Sequence, residues 1–167
     1  MVSVGQEFPE FQMEACNKEN EILTVGRVPD QWAVYYFYPK DFTFICPTEI
    51  SGMDILVDSA RVLGISGDNE WCKLAWKQSN ELIGDINHTL AADSGLYLAE
   101  ECGVVNEEEG VCYRATFIVD PSNIVQHVSV NALDTGRNAE EIQRTLQALK
   151  AGGLTGCAWQ PEDDFVA

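Results

Sequence analysis

The sequence predicts an α/β fold in which helices flank a mixed central sheet. Through most of the chain, apolar runs typical of buried strands alternate with segments of helical periodicity. Towards the C-terminal end, two strand-like runs follow each other across a turn, and an amphipathic helix comes last. This order, with alternation first and a hairpin later, fits an α/β sandwich with a mixed sheet.

The N-terminal part of the chain ends in the clearest strand of the sequence. Residues 2–29 are expected to form short strands and turns, because glycine and asparagine interrupt the apolar residues there. Residues 32–38 are a continuous aromatic and β-branched run. Such a run is typical of a strand buried on both faces, so we expect it in the centre of the sheet.

A helix and a second buried strand are predicted next. Residues 47–57 place four apolar side chains on one helical face: Ile50, Met53, Leu56 and Val57. Arg61–Ser66, with the sequence RVLGIS, has the composition of a buried strand.

The middle of the chain continues the alternation. Glu70–Ser79 is predicted to be a helix with three inward-facing residues: Trp71, Leu74 and Ala75. Residues 90–92 are expected to form a short strand, and residues 96–102 a short helix. His88 and His127 are interpreted as turn and strand-surface residues.

The last elements are a hairpin and a helix. Residues 111–119 and 125–130 are predicted strands, joined by a sequence rich in turn-forming residues. Asn138 is expected to cap an amphipathic helix that continues to Leu149, and two glycines end it.

Length and charge limit the class of protein. With 167 residues the chain can bury one core, so we expect a single domain, residues 1–150, and a tail, residues 151–167. The formal net charge is -17, from 27 acidic and 10 basic residues. An acidic surface repels phosphate backbones and anionic lipid, so neither nucleic acid nor a membrane is an expected partner.

The expected compartment decides how the cysteines are interpreted. No N-terminal segment resembles a signal peptide, and no run approaches the roughly 20 apolar residues of a membrane span. The expected location is the cytoplasm, where six cysteines indicate thiols or transient catalytic disulfides. No Cys-x-x-Cys pair signals a zinc knuckle or a thioredoxin-type dithiol. Four cysteines are interpreted as packing residues: Cys16, Cys72, Cys102 and Cys112.

Cys46 stands at the most informative point of the sequence. It follows the strand 32–38 and a proline-containing loop, and it precedes the predicted helix. A thiol at a helix N-terminus meets unpaired backbone N–H groups and the positive end of the helix dipole, which both favour a thiolate. Pro47 suits the first helical position, because its missing N–H would be unpaired there. Thr43 lies three residues earlier, so its hydroxyl can return to the same pocket.

Two motifs resemble one protein family. The pattern Pro39-x-x-x-Thr43-x-x-Cys46 matches the active-site motif of peroxiredoxins, and residues 38–50 resemble the alkyl hydroperoxide reductase C subgroup. Residues 110–121 are similar to the strand that carries the active-site arginine of that family.

Two shorter runs extend the resemblance to nearly the whole chain. They are Gly136-Arg137-Asn138, before the last helix, and Cys157-Ala158-Trp159, in the tail. The resemblance implies a thioredoxin-like fold and a thiol peroxidase that reduces hydrogen peroxide and organic hydroperoxides in antioxidant defence.

The implied reaction is attack of the Cys46 thiolate on a peroxide oxygen, which gives a sulfenic acid and water or an alcohol. An ordinary cysteine, with a pKa of about 8.5, is about 3% thiolate at pH 7, so full ionisation gains about thirtyfold in rate, or roughly 2 kcal/mol. Enzymes supply more than about 8 kcal/mol. Most of the acceleration must therefore come from groups that bind the two oxygens.

The donors for those oxygens are expected close to the thiol. Thr43 Oγ, the backbone N–H of Cys46 and the guanidinium of Arg114 are the candidates. The resemblance suggests that Glu49, in the first turn of the helix, orients the arginine. Pro39 would shield the thiolate from water. No metal or organic cofactor is expected.

The resemblance also implies how the sulfenic acid is resolved. A tail cysteine from the partner subunit of a homodimer would form a disulfide with Cys46, and Cys157 is the only cysteine in the tail. The glycine-rich approach, residues 152–156, would let it move. The resemblance is also compatible with assembly of such dimers into a decamer. The reductant would be thioredoxin, an AhpF-like flavoprotein or an AhpD-like protein.

The chain departs from the family in three places. In many members the resolving cysteine lies four residues before the tail tryptophan, but here Thr155 holds that position and Cys157 lies two before Trp159, so a free surface thiol stays the alternative for Cys157. The helix after Cys46 is about six residues shorter than expected before Arg61–Ser66, so packing at its far end must differ. The chain has neither the Gly-Gly-Leu-Gly insertion nor the C-terminal Tyr-Phe helix that the family associates with sensitivity to over-oxidation. Their absence indicates a robust peroxidase.

Two other functions stay open on the same fold. A thiol–disulfide oxidoreductase would exchange disulfides without reducing peroxide, although the missing Cys-x-x-Cys argues against it. A holdase chaperone or a peroxide-signalling relay would pass oxidation once to a bound partner. Repeated turnover with a reductant would separate a peroxidase from both.

Overall fold

The computed structural model of the protein describes residues 1–167. The strands are β1 Gln12–Cys16, β2 Ile22–Gly26, β3 Ala33–Phe37, β4 Arg61–Ser66, β5 Thr89–Ala92, β6 Val105–Asn106, β7 Val111–Cys112, β8 Arg114–Val119 and β9 Val125–Asn131. The helices are α1 Cys46–Met53, α2 Glu70–Ser79, α3 Tyr97–Cys102 and α4 Ala139–Ala151. No helix combines the length and apolar character needed to cross a membrane.

Seven strands form one mixed sheet in the order β2-β1-β5-β4-β3-β8-β9, which confirms the predicted fold class. β3, β4 and β5 pair in parallel, whereas the strands on either side pair antiparallel. Because β3 and β4 are parallel neighbours, the loops that leave their C-terminal ends lie side by side. The loop after β3 leads to Cys46, and the loop after β4 leads to α2.

The side chains of β3 alternate between two apolar cores on opposite faces of the sheet. Val34 and Tyr36 belong to the core that contains residues of α1 and α4. Tyr35 and Phe37 belong to the other core, together with Phe8 and residues of α3. Helices therefore cover both faces, and every residue of β3 is buried, as the run 32–38 predicted.

The helix predicted over residues 47–57 is divided in two. α1 ends at Met53, and a single 3₁₀ turn, Asp54–Leu56, follows it. The predicted inner face is confirmed at its centre, because Ile50, Met53 and Leu56 are fully buried. The connection to β4 is therefore short and ends in a tight turn instead of a further α-helical turn.

The inward face predicted for α2 is wrong. Trp71 is 63% exposed, Ala75 is also exposed, and the third predicted residue is only half-buried. The residues that α2 buries are Lys73, Trp76 and Lys77. Lysines enter the interior only when their charge is paired or hydrogen-bonded. Lys77 meets that condition because its Nζ donates to the backbone carbonyl of Asn17 at 2.7 Å.

His88 lies in a bend just before β5, which agrees with the predicted turn, but it is buried and not at the surface. Its side chain is buried between β3 and the 3₁₀ turn after α1. His88 Nε2 lies 2.7 Å from Tyr36 Oη, and Nδ1 lies 2.7 Å from Asp54 Oδ1. Burial lowers the pKa of His88, although the hydrogen bond to Asp54 opposes that shift.

His88 is expected to make stability depend on pH. Its pKa is lower in the folded than in the unfolded state, so the unfolded chain binds more protons near pH 6. The stabilisation is complete above about pH 6.5 and is lost as the pH falls, by at most about 1.4 kcal/mol per pH unit for one histidine. Urea unfolding at pH 7.5 and pH 5.5 measures this loss, which His88→Gln should reduce. Equal pH dependence in the two proteins would contradict the prediction.

The strand predicted over residues 111–119 is interrupted at Tyr113. β7 pairs only with β6 in a separate small hairpin, while β8 begins at Arg114 and joins the main sheet between β3 and β9. The interruption therefore makes Arg114 the first residue of a central strand.

The chain after α4 folds back on that helix. Asn138 caps α4 with its side chain, and Gly152, with a φ of 76°, ends it. Arg144 Nη1 donates to the carbonyl of Trp159 at 3.1 Å, and the Trp159 ring stacks on Phe165 with the centroids 6.1 Å apart. The tail is thus ordered against the helix that precedes it.

Candidate active site

Cys46 is the first residue of α1, and its side chain has no exposed surface. Pro47 follows it in the first turn and removes one backbone donor that no helical carbonyl could accept. No side chain caps this helix end. Thr48 and Glu49 donate their backbone N–H groups to the Ile45 carbonyl, so the N–H of Cys46 is the one left without a backbone acceptor in this turn. This N–H and the helix dipole place positive potential at the thiol.

Arg114 reaches the thiol from β8. Its Nη1 donates to Cys46 Sγ at 3.3 Å, and its Nε donates to the carbonyl of Leu133 at 2.6 Å. The side chain is only 5% exposed. Because a guanidinium stays charged and presents donors in a fixed fork, these contacts aim a permanent cation at the sulfur.

Glu49 binds two arginines at once. Its Oε1 accepts from Arg114 Nη1, and its Oε2 accepts from Arg137 Nε and, at 3.1 Å, from the Arg137 backbone N–H. All three charged groups are nearly inaccessible to solvent. Two guanidinium groups and one carboxylate leave one positive charge in excess. That excess charge lies beside Cys46 Sγ, where it can stabilise negative charge that develops during a reaction.

Arg137 is a member of the site that the sequence analysis did not assign. Its guanidinium also donates to the carbonyls of Phe37 and Ala115 and lies over the Tyr36 ring, with Cζ 5.1 Å from the centroid. The signal in the sequence was the run Gly136-Arg137-Asn138, which resembled the family but had no role assigned to it. Arg137 fixes Glu49, which in turn fixes Arg114.

The loop before α1 carries the remaining predicted residues. Pro39 and Thr43 are both half-buried. Thr43 Oγ1 donates to the carbonyl of Lys40 at 2.8 Å, and no hydrogen bond joins it to Cys46. The structure therefore brings Cys46, Arg114 and Glu49 into one contacting group, while Thr43 and Pro39 lie in the loop that leads to it.

The remaining cysteines differ sharply in exposure. All six are free thiols, and Cys157 is the exposed one. Burial raises the pKa of Cys72 to about 11 and that of Cys102 and Cys112 to about 12. These three are therefore protonated at neutral pH, which agrees with their predicted packing role. No disulfide joins Cys157 to Cys46 within the chain.

One group of potential metal ligands lies near α2. Asp41, Asp68 and Cys72 hold ligand atoms within 4.8 Å of one another. The ammonium of Lys73, however, contacts the Asp41 carboxylate at 3.3 Å. The acidic group thus already holds a cation of the protein itself.

A buried cysteine that faces a fixed arginine suits one chemistry in particular. The arginine can bind two adjacent oxygens of a substrate while the sulfur attacks one of them. The class of protein that this site and fold define is a thiol-based peroxidase.

Comparisons with known proteins agree with that class. The model of the AhpC/TSA family matches residues 4–128. Alkyl hydroperoxide reductase C of Mycolicibacterium smegmatis is 36% identical over 99% of this chain and 94% of its own length. The putative peroxiredoxin YkuU of Bacillus subtilis is 39% identical over 95% of this chain and 94% of its own. The chain belongs to the AhpC/TSA family and is a peroxiredoxin, a thiol-dependent peroxidase.

Solved structures confirm the thioredoxin-like fold. The reduced 2-Cys peroxiredoxin of Plasmodium vivax superposes with a TM-score of 0.91 at 33% identity, over 98% of this chain and 92% of that one. The AhpC of Enterococcus faecalis superposes with a TM-score of 0.85 at 34% identity, over 90% of this chain and 94% of that one.

Proposed function

We propose that Cys46 is the peroxidatic cysteine. Its thiolate forms an S–O bond to the terminal oxygen of a hydroperoxide as the O–O bond breaks. The leaving oxygen takes the electron pair and a proton, and departs as water or an alcohol. Cys46 is left as a sulfenic acid. The observation that carries this proposal is the 3.3 Å contact between Arg114 Nη1 and Cys46 Sγ, with Glu49 bound to the same arginine.

The neighbouring residues take distinct roles in that step. Arg114 stabilises the charge that develops on the leaving oxygen, and Glu49 keeps the guanidinium in place. Thr43 Oγ1 already donates its proton to the carbonyl of Lys40. Its lone pairs are therefore free to accept a hydrogen bond from the hydroperoxide O–H, whose proton stays on the transferred oxygen, and to orient the substrate. Pro39, which is half-buried in the loop before α1, is proposed to limit the approach of water to the thiol.

Resolution requires a second thiol, and we assign it to Cys157 of the partner subunit in a homodimer. The Cys157 thiol condenses with the sulfenic acid of Cys46, forming a disulfide and releasing water. A disulfide needs Cα atoms about 4.4–6.8 Å apart. Because Cys46 is buried at the start of α1 and Cys157 is exposed, the first turn of α1 must open before the bond forms. Assembly of the dimers into decamers fits this arrangement.

The substrates we propose are hydrogen peroxide and alkyl hydroperoxides, since similar proteins are named alkyl hydroperoxide reductase C. The proposed location is the cytoplasm. A dithiol reductant of the thioredoxin, AhpF-like or AhpD-like type would reopen the disulfide. No residue of the pocket needs a metal or an organic cofactor for these steps. Residues 1–150 would form the peroxidase domain, and residues 151–167 would present the resolving thiol.

Peptide mapping after one equivalent of hydrogen peroxide tests the proposal. The reduced protein is oxidised, digested without reductant and analysed by mass spectrometry. We expect a disulfide between Cys46 and Cys157 that joins two chains. Cys46 that stops at sulfenic or sulfinic acid, with Cys157 still free, would contradict the resolving role. An unreacted Cys46 would contradict the peroxidatic one.

A further inference from the structure

A buried lysine lies outside the residues assigned to the reaction. Lys73, in α2, has no exposed surface. Its Nζ donates to Ser66 Oγ at 2.6 Å, to Tyr38 Oη at 2.9 Å, and to the Asp41 carboxylate at 3.3 Å and 3.4 Å. An ammonium has three N–H donors, so each finds an acceptor. The acceptors stand just after β3, at the end of β4, and in the loop before Cys46.

Asp41 is the buried anchor of that loop, residues 39–45. Its carboxylate also accepts from Tyr38 Oη at 2.6 Å, and its backbone N–H donates to the Asp68 carboxylate at 2.8 Å. Burial raises the pKa of Asp41, and the ammonium of Lys73 opposes that shift. Without Lys73, a charged Asp41 would stand alone in the interior, which is strongly unfavourable.

The rest of the loop has few attachments. Phe44 is 96% exposed, and the Thr43 hydroxyl bonds only to a carbonyl within the loop. Phe42 has a left-handed backbone, with a φ of 58°, which residues with a β-carbon rarely adopt. Its ring lies 5.9 Å from that of Trp76, one turn after Lys73. α2 therefore holds the loop at two points, one ionic and one aromatic.

Stability alone does not account for a lysine at this position. A buried ion pair is often no more stabilising than apolar residues of similar volume, because both charges must leave water. What such a pair does supply is a defined geometry, since only one arrangement satisfies every donor and acceptor. Here the group whose geometry is defined is the loop that carries Thr43.

We propose that Lys73 is a positioning residue for peroxide reduction. Through Asp41 it fixes the loop conformation in which Thr43 faces a hydroperoxide bound at Cys46. Lys73 itself touches neither the thiol nor the substrate. The inference rests on the proposed function, because the loop has this task only if Cys46 reacts with peroxide.

The test compares two buried lysines of the same helix. Lys73→Met removes the ammonium that binds the loop. Lys77→Met removes one that is 2% exposed and bonds the carbonyl of Asn17, in the turn between β1 and β2. Stopped-flow fluorescence gives the rate constant for oxidation of Cys46 by hydrogen peroxide. We expect a fall of about tenfold to a hundredfold in Lys73→Met, and a change within about twofold in Lys77→Met.

The rate at which iodoacetamide alkylates Cys46 distinguishes a positioning role of Lys73 from a purely structural one. The reagent needs the thiolate, but not the groups that orient peroxide. Positioning predicts that the ratio of the peroxide rate to the alkylation rate falls about tenfold in Lys73→Met. Equal falls in both rates, an unchanged peroxide rate, or an equal loss in Lys77→Met would overturn the proposal.

If Lys73→Met does not fold, a double variant tests the positioning role instead. Lys73→Met combined with Asp41→Asn removes both charges, so neither is left alone in the interior. We expect this variant to fold and to lose about tenfold in the peroxide rate. A rate equal to that of the unmodified protein overturns the inference. If Cys46 of the unmodified protein does not react with peroxide, the proposed function has failed instead, so the two failures are distinguishable.

Discussion

Cys46→Ser is expected to abolish peroxide reduction. A serine hydroxyl has no ionised form at neutral pH and cannot be oxidised to a sulfenic acid analogue, so no other group in the pocket can take the substrate oxygen. The fall in kcat/KM should be at least about 10⁴-fold, to the background of the uncatalysed reaction. A coupled assay with hydrogen peroxide and a dithiol reductant measures it.

Cys72→Ser is the matched control for that substitution. Burial raises the pKa of Cys72 to about 11, so its thiol is protonated and should not contribute to turnover. We expect this variant to keep the full activity. Residual turnover in Cys46→Ser, or an equal loss in Cys72→Ser, would show that the reactive thiol is not Cys46.

Arg114→Met is expected to lower kcat/KM for hydrogen peroxide by about 10²–10³-fold. The substitution removes the donor 3.3 Å from Cys46 Sγ and, with it, the charge that stabilises the leaving oxygen. It also leaves Glu49 paired with Arg137 alone, so the buried cluster changes from one positive charge in excess to none. A thiolate at Cys46 would then stand in a neutral site.

Arg27→Met is the matched control for the arginine. Arg27 is also largely buried, but it pairs with Glu7 and Glu10 at the surface and makes no contact with Cys46. It should cost some stability and leave kcat/KM unchanged. Urea unfolding of both variants shows whether the loss in Arg114→Met exceeds any effect of partial unfolding. A value within about twofold of the unmodified protein in Arg114→Met would remove the arginine from the mechanism.

The parts of the molecule that the sequence predicted well are those set by short stretches of chain. The buried strand over residues 32–38 and the helix that begins at Cys46 follow from an apolar run, a loop and Pro47, all of which are neighbours in sequence. The amphipathic helix after Asn138 is equally local. Each needs only the identity of residues within one or two turns.

The parts that were missed depend on partners far along the chain. Lys73 and Lys77 of α2 face the interior because residues of other elements accept hydrogen bonds from their ammonium groups. Rules based on composition instead place lysine at the surface. His88 is buried because Tyr36 and Asp54 bind both ring nitrogens. In each case a polar side chain forms its hydrogen bonds with a group that no local sequence pattern predicts.

Long separation along the chain also explains why the predicted site lacks one of its residues. Cys46 was recognised from its loop and helix, whereas Arg137 stands 88 positions after the carboxylate of Glu49 that it holds. Thr43 was expected at the thiol because it is near in sequence, yet its hydroxyl bonds within the loop to Lys40. Proximity along the chain therefore predicts which residues belong to the motif better than it predicts which contacts those residues make.

The charge cluster around Glu49 has a consequence for folding order. Arg137 contacts Phe37 across 100 positions, and Arg114 reaches Cys46 across 68. Contacts of such long sequence separation form late, because closing long loops costs entropy that only a nearly complete core offsets. On the proposed function, a newly made chain carries Cys46 well before it carries the arginines that assist the reaction, so we expect partly folded molecules to react with peroxide no faster than an ordinary thiol.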